Sequence, residues 1–198
     1  MSNPRAGVLV CAPFFHEYIV GYRLFALLGA ALAEQGVTVL RFDYYGTGDS
    51  GGVDTDFSLA GACADAASAL DVLREQVVSL PVAILGVRAG ALPAIRASSA
   101  SDLRALWLWQ PVLDGTEYIS ELQQHDTAVQ PRSTGDLDPV DSLDCFPCNA
   151  DLAHELCEEP SLDLARDLSV PITVLDSGIG MPRFRYACRI KLASSLHE

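Results

Sequence analysis

The chain has 198 residues, 49% of them hydrophobic and 20% charged, which is long enough for one compact domain with a sizeable core. That apolar share excludes a disordered chain, and no run approaches the roughly 18 apolar residues of a membrane span. Twenty-six acids against 13 bases leave a formal charge of −13, which opposes nucleic acid and anionic membranes as partners.

Met1 to Arg5 leads straight into a strand-like run rather than a signal-peptide core, so the expected compartment is the cytoplasm. Gly7 to Cys11 is apolar throughout, the pattern of a strand buried on both faces. Leu24, Leu27, Leu28, Ala31 and Leu32 share one helical face, and Gly36 ends that helix. Val37 to Phe42 predicts a second strand. Ser58 predicts the cap of a long helix with Leu59, Cys63, Ala66, Leu70, Leu73 and Val77 on its apolar face. Val82 to Leu85 is a third strand, followed by a turn and a helix over about 89–98. Ala105 to Trp109 is a fourth. After Pro111 the rhythm breaks, and Asp136 to Asp167 carries ten acids and one base. Two short helices are expected there, over 150–157 and 161–168, before a fifth strand at Val170 to Leu175.

Apolar strands alternating with helices predict an α/β fold, a mostly parallel doubly wound sheet of about five or six strands with helices on both faces. The expected organisation is one domain over 1–176, with an acidic lid insertion at 114–168 and a basic tail at 177–198. In such sheets ligands bind where the strands end at their carboxyl termini.

Three motifs overlap in one glycine-rich stretch. Gly48-Asp49-Ser50-Gly51-Gly52 spells the nucleophile signature of chymotrypsin-like proteases, but those are all-β and need their His and Asp earlier in the chain. The same residues fit Gly-x-Ser-x-Gly, yet Asp43-Tyr44-Tyr45 separate them from the strand and no helix follows at once. Gly46 to Gly51 also fits Gly-x-Gly-x-x-Gly, again with the helix too late. A turn with local backbone hydrogen bonds from Asp49 and Ser50 accounts for the composition better.

The run Arg41-Phe42-Asp43-Tyr44-Tyr45-Gly46-Thr47-Gly48-Asp49-Ser50-Gly51 after a strand resembles the α/β-hydrolase superfamily. It is most similar to the serine-aminopeptidase-type branch, and within it to the exosortase-A-system-associated hydrolases. Pro13 to Tyr18 fits that group's loop after the first core strand, and Trp107 to Val112 a later strand, so the resemblance covers about residues 7–176. It implies a nucleophile on the turn Gly86-Val87-Arg88-Ala89-Gly90, where the nucleophile position holds Arg88. A guanidinium stays protonated and cannot attack a carbonyl. The resemblance puts the acid of a triad at Gly180, after Asp176 and Ser177, and leaves His197 as the available histidine. The tail, with Arg183, Arg185, Arg189 and Lys191, does not match the family's closing strand and helix; the domain is expected to be shortened or divergent at that end.

The resemblance further implies oxyanion donors in the backbone amides of Ala89 and of the Phe14–Phe15 loop. Arg88 then has two uses: pairing with Glu17 or Asp43 at neighbouring strand ends, or bidentate binding of a ligand carboxylate or phosphate. The expected protein is a catalytically impaired binding or accessory protein for a small acyl or anionic ligand, with no cofactor. The alternative is an active hydrolase using Cys11, Ser50 or a water activated by His16. Tyr44, Tyr45, Trp107 and Trp109 are candidates for a pocket wall, the tryptophans more readily for the core. Cys145, Cys148, His154 and Cys157 form a weak zinc pattern, since Cys-x2-Cys spacing and an i, i+3 pair suit that metal. Reduced thiols are the simpler account of six cysteines in a chain of this length.

Overall fold

The structure, a computed structural model, describes residues 4–99, 102–129, 142–143, 146–147, 150–158 and 168–175. In chain order the elements are β1 (Ala6–Cys11), α1 (Phe15–Glu34), β2 (Val37–Arg41), α2 (Leu59–Gln76), β3 (Val82–Val87), α3 (Ala91–Ser99), β4 (Ala105–Trp109) and α4 (Gly115–Val129). A two-residue ribbon, β5 (Ser142–Leu143) with β6 (Phe146–Pro147), is followed by α5 (Ala150–Glu158) and β7 (Ile172–Leu175). Five strands form one parallel sheet in the order β2-β1-β3-β4-β7, the doubly wound α/β arrangement that the strand composition predicts. The second expected lid helix lies largely outside the described residues, as does the segment 176–198.

Period-two alternation splits β1 between two packed layers. Leu9 and Cys11 face α2 and α3 in one cluster with Ile84, Leu70 and Leu106. Val8 and Val10 face α1 in another, with Phe25, Leu85 and Val87. Ser58 caps α2 as expected, its hydroxyl accepting from the Gly61 N–H at 3.0 Å.

Helix α1 departs from its expected geometry. It starts at Phe15, inside the stretch read as a loop, and its contact with the sheet is made by Phe25 and Leu28. Leu24 and Leu27, expected on the buried face, are 49% and 60% exposed. The reason is that α1 is apolar nearly all round, so periodicity alone does not single out the face that packs. On β4 the leucines Leu106 and Leu108 are the buried pair, while Trp107 and Trp109 are half-buried on the α1 side, where Trp109 meets Phe25 edge to face at 6.4 Å.

Helix α4 was not legible as a helix from its hydropathy, because the rhythm of apolar residues stops at Pro111. Its start is nevertheless written in Asp114-Gly115-Thr116-Glu117, a capping pattern. The Asp114 carboxylate accepts from the N–H groups of Thr116 and Glu117 at 2.9 and 3.0 Å. No helix among the described residues is long and apolar enough to cross a membrane.

Candidate functional site

The strand order reverses direction at β1: β2 lies on one side of it and β3 on the other. Loops leaving the carboxyl ends of β1 and β3 therefore turn to opposite faces of the sheet, which marks the usual ligand position in such sheets. The two loops approach closely here. A side chain on Gly90 would collide with the Ala12 and Cys11 carbonyl oxygens, and one on Gly86 with Ala91 and Ala94 of α3. Glycine at both flanks thus lets the chain turn from strand to helix against its neighbour.

Arg88 occupies the apex of that turn. Its φ of +51° is in the left-handed region, where a side chain costs about 1 kcal/mol or more, and a single 3-10 turn from Arg88 to Gly90 leads into α3. Arg88 Nε donates to Glu17 Oε1 at 2.7 Å, and a terminal guanidinium nitrogen donates to Glu121 Oε2 at 3.0 Å. Tyr118 donates its hydroxyl to the other Glu17 oxygen at 3.1 Å, and its ring centroid lies 5.6 Å from the guanidinium carbon. Burial alone would weaken the guanidinium's hold on its proton, but the Glu17 charge and the bonds to both carboxylates outweigh it and push the pKa up. One cation facing two carboxylates leaves this cluster with an excess negative charge.

Of the two partners named from sequence, Glu17 is the one that pairs with Arg88. Asp43 does other work. It accepts from the Tyr18 hydroxyl at 2.6 Å and from the Asp49 backbone N–H at 2.9 Å. It thereby ties the start of α1 to the turn after β2, and Gly48 at φ +54° brings the backbone so close that a side chain there would strike the carboxylate. Asp43→Asn is expected to lower the stability of the fold by about 1.5 kcal/mol, because charge-assisted bonds are weakened at both partners. Urea unfolding measures this; an unchanged midpoint would show that the turn holds itself. Glu121 and Tyr118, one helical turn apart on α4, were missed by sequence reasoning, although the Asp114 cap was the available signal for the helix that carries them.

The remaining candidates are scattered. Phe14, Phe15 and Ala89 are all buried in one cluster with Tyr44 and Phe57 at the carboxyl ends of β1 and β3, which agrees with neighbouring loops. His16 is exposed on the first turn of α1. Ser50 belongs to the turn after β2, its N–H bonded to the Thr47 carbonyl at 3.0 Å. Cys11 is fully buried, and burial pushes its thiol pKa far up. Tyr45 is half exposed. His154 pairs along its own helix with Glu158 at 3.4 Å, and Cys157 is exposed on that helix. Cys145 and Cys148, like Asp176, Ser177, Gly180 and His197, lie outside the described residues.

Comparison with known proteins supplies the family. Residues 3–143 match the family model of the serine aminopeptidases, S33. Among solved structures, Est1E from Butyrivibrio proteoclasticus with ferulic acid bound superposes with a TM-score of 0.62 at 18% identity, over 87% of this chain and 68% of that one. One of two metagenome-derived lipolytic enzymes, LipS and LipT, gives 0.61 at 16%, over 88% and 72%. An α/β serine hydrolase without a lid from Xanthomonas campestris gives 0.51 at 17%, over 89% and 73%. The curated proteins hold no match. At these identities the structures speak for the fold alone, while the family model spans most of the sequence. The chain belongs to the serine aminopeptidase S33 family and has the α/β-hydrolase fold.

Proposed function

We propose that this chain is a hydrolase-derived binding or accessory protein for an acyl ligand, in which Arg88 has replaced the attacking serine. One observation carries the reading: the residue at the left-handed apex between β3 and α3 is an arginine bridged by Glu17 and Glu121. In serine hydrolases of this fold that sharp strand-to-helix turn presents the nucleophile. A guanidinium has no lone pair to offer a carbonyl carbon, and its proton is held more firmly by the two carboxylates.

The substitutes named from sequence are poorly equipped. Cys11 is sealed in the core as a thiol, and only the thiolate attacks. Ser50 sits in a turn organised around Asp43, and Asp43 binds Tyr18 and Asp49 rather than a histidine. A free anionic ligand is disfavoured against an acyl chain, because Arg88 already faces two carboxylates. Helices α4 and α5, within the proposed lid at 114–168, support a cover over the site: Glu121 reaches Arg88 from α4, and Glu155 of α5 accepts from the Leu59 N–H of α2 at 3.0 Å. Within the family, the Asp43–Gly51 stretch and the Trp107–Val112 strand favour the exosortase-associated branch.

The test is a fluorophosphonate probe, which labels activated serines. No labelling is expected, together with no turnover of p-nitrophenyl esters. Labelling that disappears in Ser50→Ala, or ester turnover lost in Cys11→Ala, would replace this reading with that of an active hydrolase using a non-standard nucleophile.

A further inference from the structure

Beside the Arg88 turn, the loops after β1 and β2 enclose a narrow cleft of about 50 Å³ that involves neither Arg88 nor Ala89. Five aromatic rings line it: Phe14, Phe15, Tyr18, Tyr44 and Phe57. Four of them brace one another edge to face, Phe14 against Phe57 at 5.0 Å and against Tyr44 at 5.4 Å, while Tyr18 is held by Tyr22 at 6.0 Å. The walls therefore need no ligand to hold their shape. At about 10–15 Å³ per water, the space holds about three to five groups of water or methyl size.

Its side-chain hydroxyls all have one character. The Tyr18 hydroxyl gives its proton to Asp43 at 2.6 Å, Tyr44 gives its own to the Ala12 carbonyl at 3.2 Å, and Thr47 gives its own to the Tyr44 carbonyl at 2.8 Å. Among the described lining residues every hydroxyl has thus spent its donor, and none of those residues is basic. What remains is acceptor oxygen, aromatic surface and the Asp54 carboxylate, which has no hydrogen bond or ion pair among the described residues. An anion or a carbonyl finds no side-chain donor among the described residues here. A cation finds electron-rich rings and a carboxylate with no other partner among the described residues. Because the walls are largely apolar, a cation sheathed in methyl groups leaves fewer N–H groups unsatisfied than a bare ammonium.

We propose that this cleft binds a small methylated ammonium group, enclosed by the five rings and paired with Asp54. The cleft shares the Phe14–Phe15 loop with the Arg88 site but includes neither Arg88 nor its partners Glu17 and Glu121, so the proposal does not depend on what Arg88 does.

Tetramethylammonium chloride and tert-butanol, similar in size but differing in charge, test it by NMR titration of the full chain at constant ionic strength. Tetramethylammonium is expected to bind about tenfold more tightly than tert-butanol, with shifts centred on Phe57 and Gly46–Gly48. Asp54→Asn changes only an exposed side chain and is expected to weaken tetramethylammonium severalfold while leaving tert-butanol unchanged. Equal affinity for the two probes, or no binding of tetramethylammonium, would overturn the proposal. Shifts confined to residues outside the cleft would overturn it as well.

Discussion

Arg88→Ala is expected to lower the stability of the folded chain by about 2 kcal/mol, and Arg88→Gly by about 1 kcal/mol less. The first figure lies between an exposed ion pair, worth under about 1 kcal/mol, and a buried one, whose rupture costs about 3–5. The side chains of Arg88 and Glu17 are 22% and 28% exposed, and that of Glu121 is 47% exposed, so screening by water takes part of the effect. Truncation leaves Glu17 and Glu121 facing each other without their shared cation, next to a Tyr118 hydroxyl that can satisfy only one oxygen. Glycine meets the same electrostatic loss but sits in the left-handed conformation without strain. The difference between the two variants reads the backbone of the turn; the common loss reads the charge cluster. Chemical denaturation of all three chains measures both. If glycine proves the worse replacement, φ at this residue is not positive in solution. If neither variant is destabilised, the bridge contributes nothing and its proposed place in the function fails with it.

The second large effect is a loss of stability in alkali. Cys11 and Tyr44 are both fully buried, and burial raises each pKa far above its ordinary value of 9.0 or 10.0. The folded chain therefore keeps protons that the unfolded chain releases. A group with a raised folded pKa stabilises fully below its unfolded value and loses that contribution as pH climbs toward the folded one. Each group removes about 1.4 kcal/mol per pH unit above its unfolded pKa. The decline is expected to begin near pH 9 with Cys11 and to double in slope, to about 3 kcal/mol per unit, once Tyr44 joins above pH 10. Tyr18, raised by burial and by its bond to Asp43, acts in the same direction. Urea midpoints between pH 8 and 10.5 follow the decline, and Cys11→Ala should remove its first part. A flat profile across that range would mean that water reaches the end of β1.

These two predictions meet at the same place. The carboxyl end of β1 holds a thiol whose burial keeps it protonated at neutral pH, and the apex of the neighbouring turn holds a guanidinium whose two carboxylate partners hold its proton more firmly. Neither supplies a nucleophile at neutral pH, which is the physical content of the proposed loss of serine-type chemistry.

Much of this was legible in the residues alone. The unbroken apolar runs Gly7–Cys11 and Val82–Leu85 predicted interior parallel strands, because only a strand covered on both faces can afford such a run. A strand, a turn and a helix over 82–98 were predicted from the residues, and the α/β-hydrolase resemblance implied that Arg88, between Gly86 and Gly90, stands at the apex of that turn; the close approach of Gly90 to the end of β1 came only with the fold. What the tertiary structure decided was which groups meet. Glu17 and Asp43 have the same charge and both follow a strand, and only the relative reach of the two loops gives the first to Arg88 and the second to Tyr18. Glu121 arrives from a helix that carries little hydrophobic signal, and the buried face of α1 could not be chosen from a helix apolar nearly all round. Strand and turn propensities act over a few neighbouring residues, whereas a pairing between side chains 33 or 71 positions apart exists only once the sheet has set the distance between them.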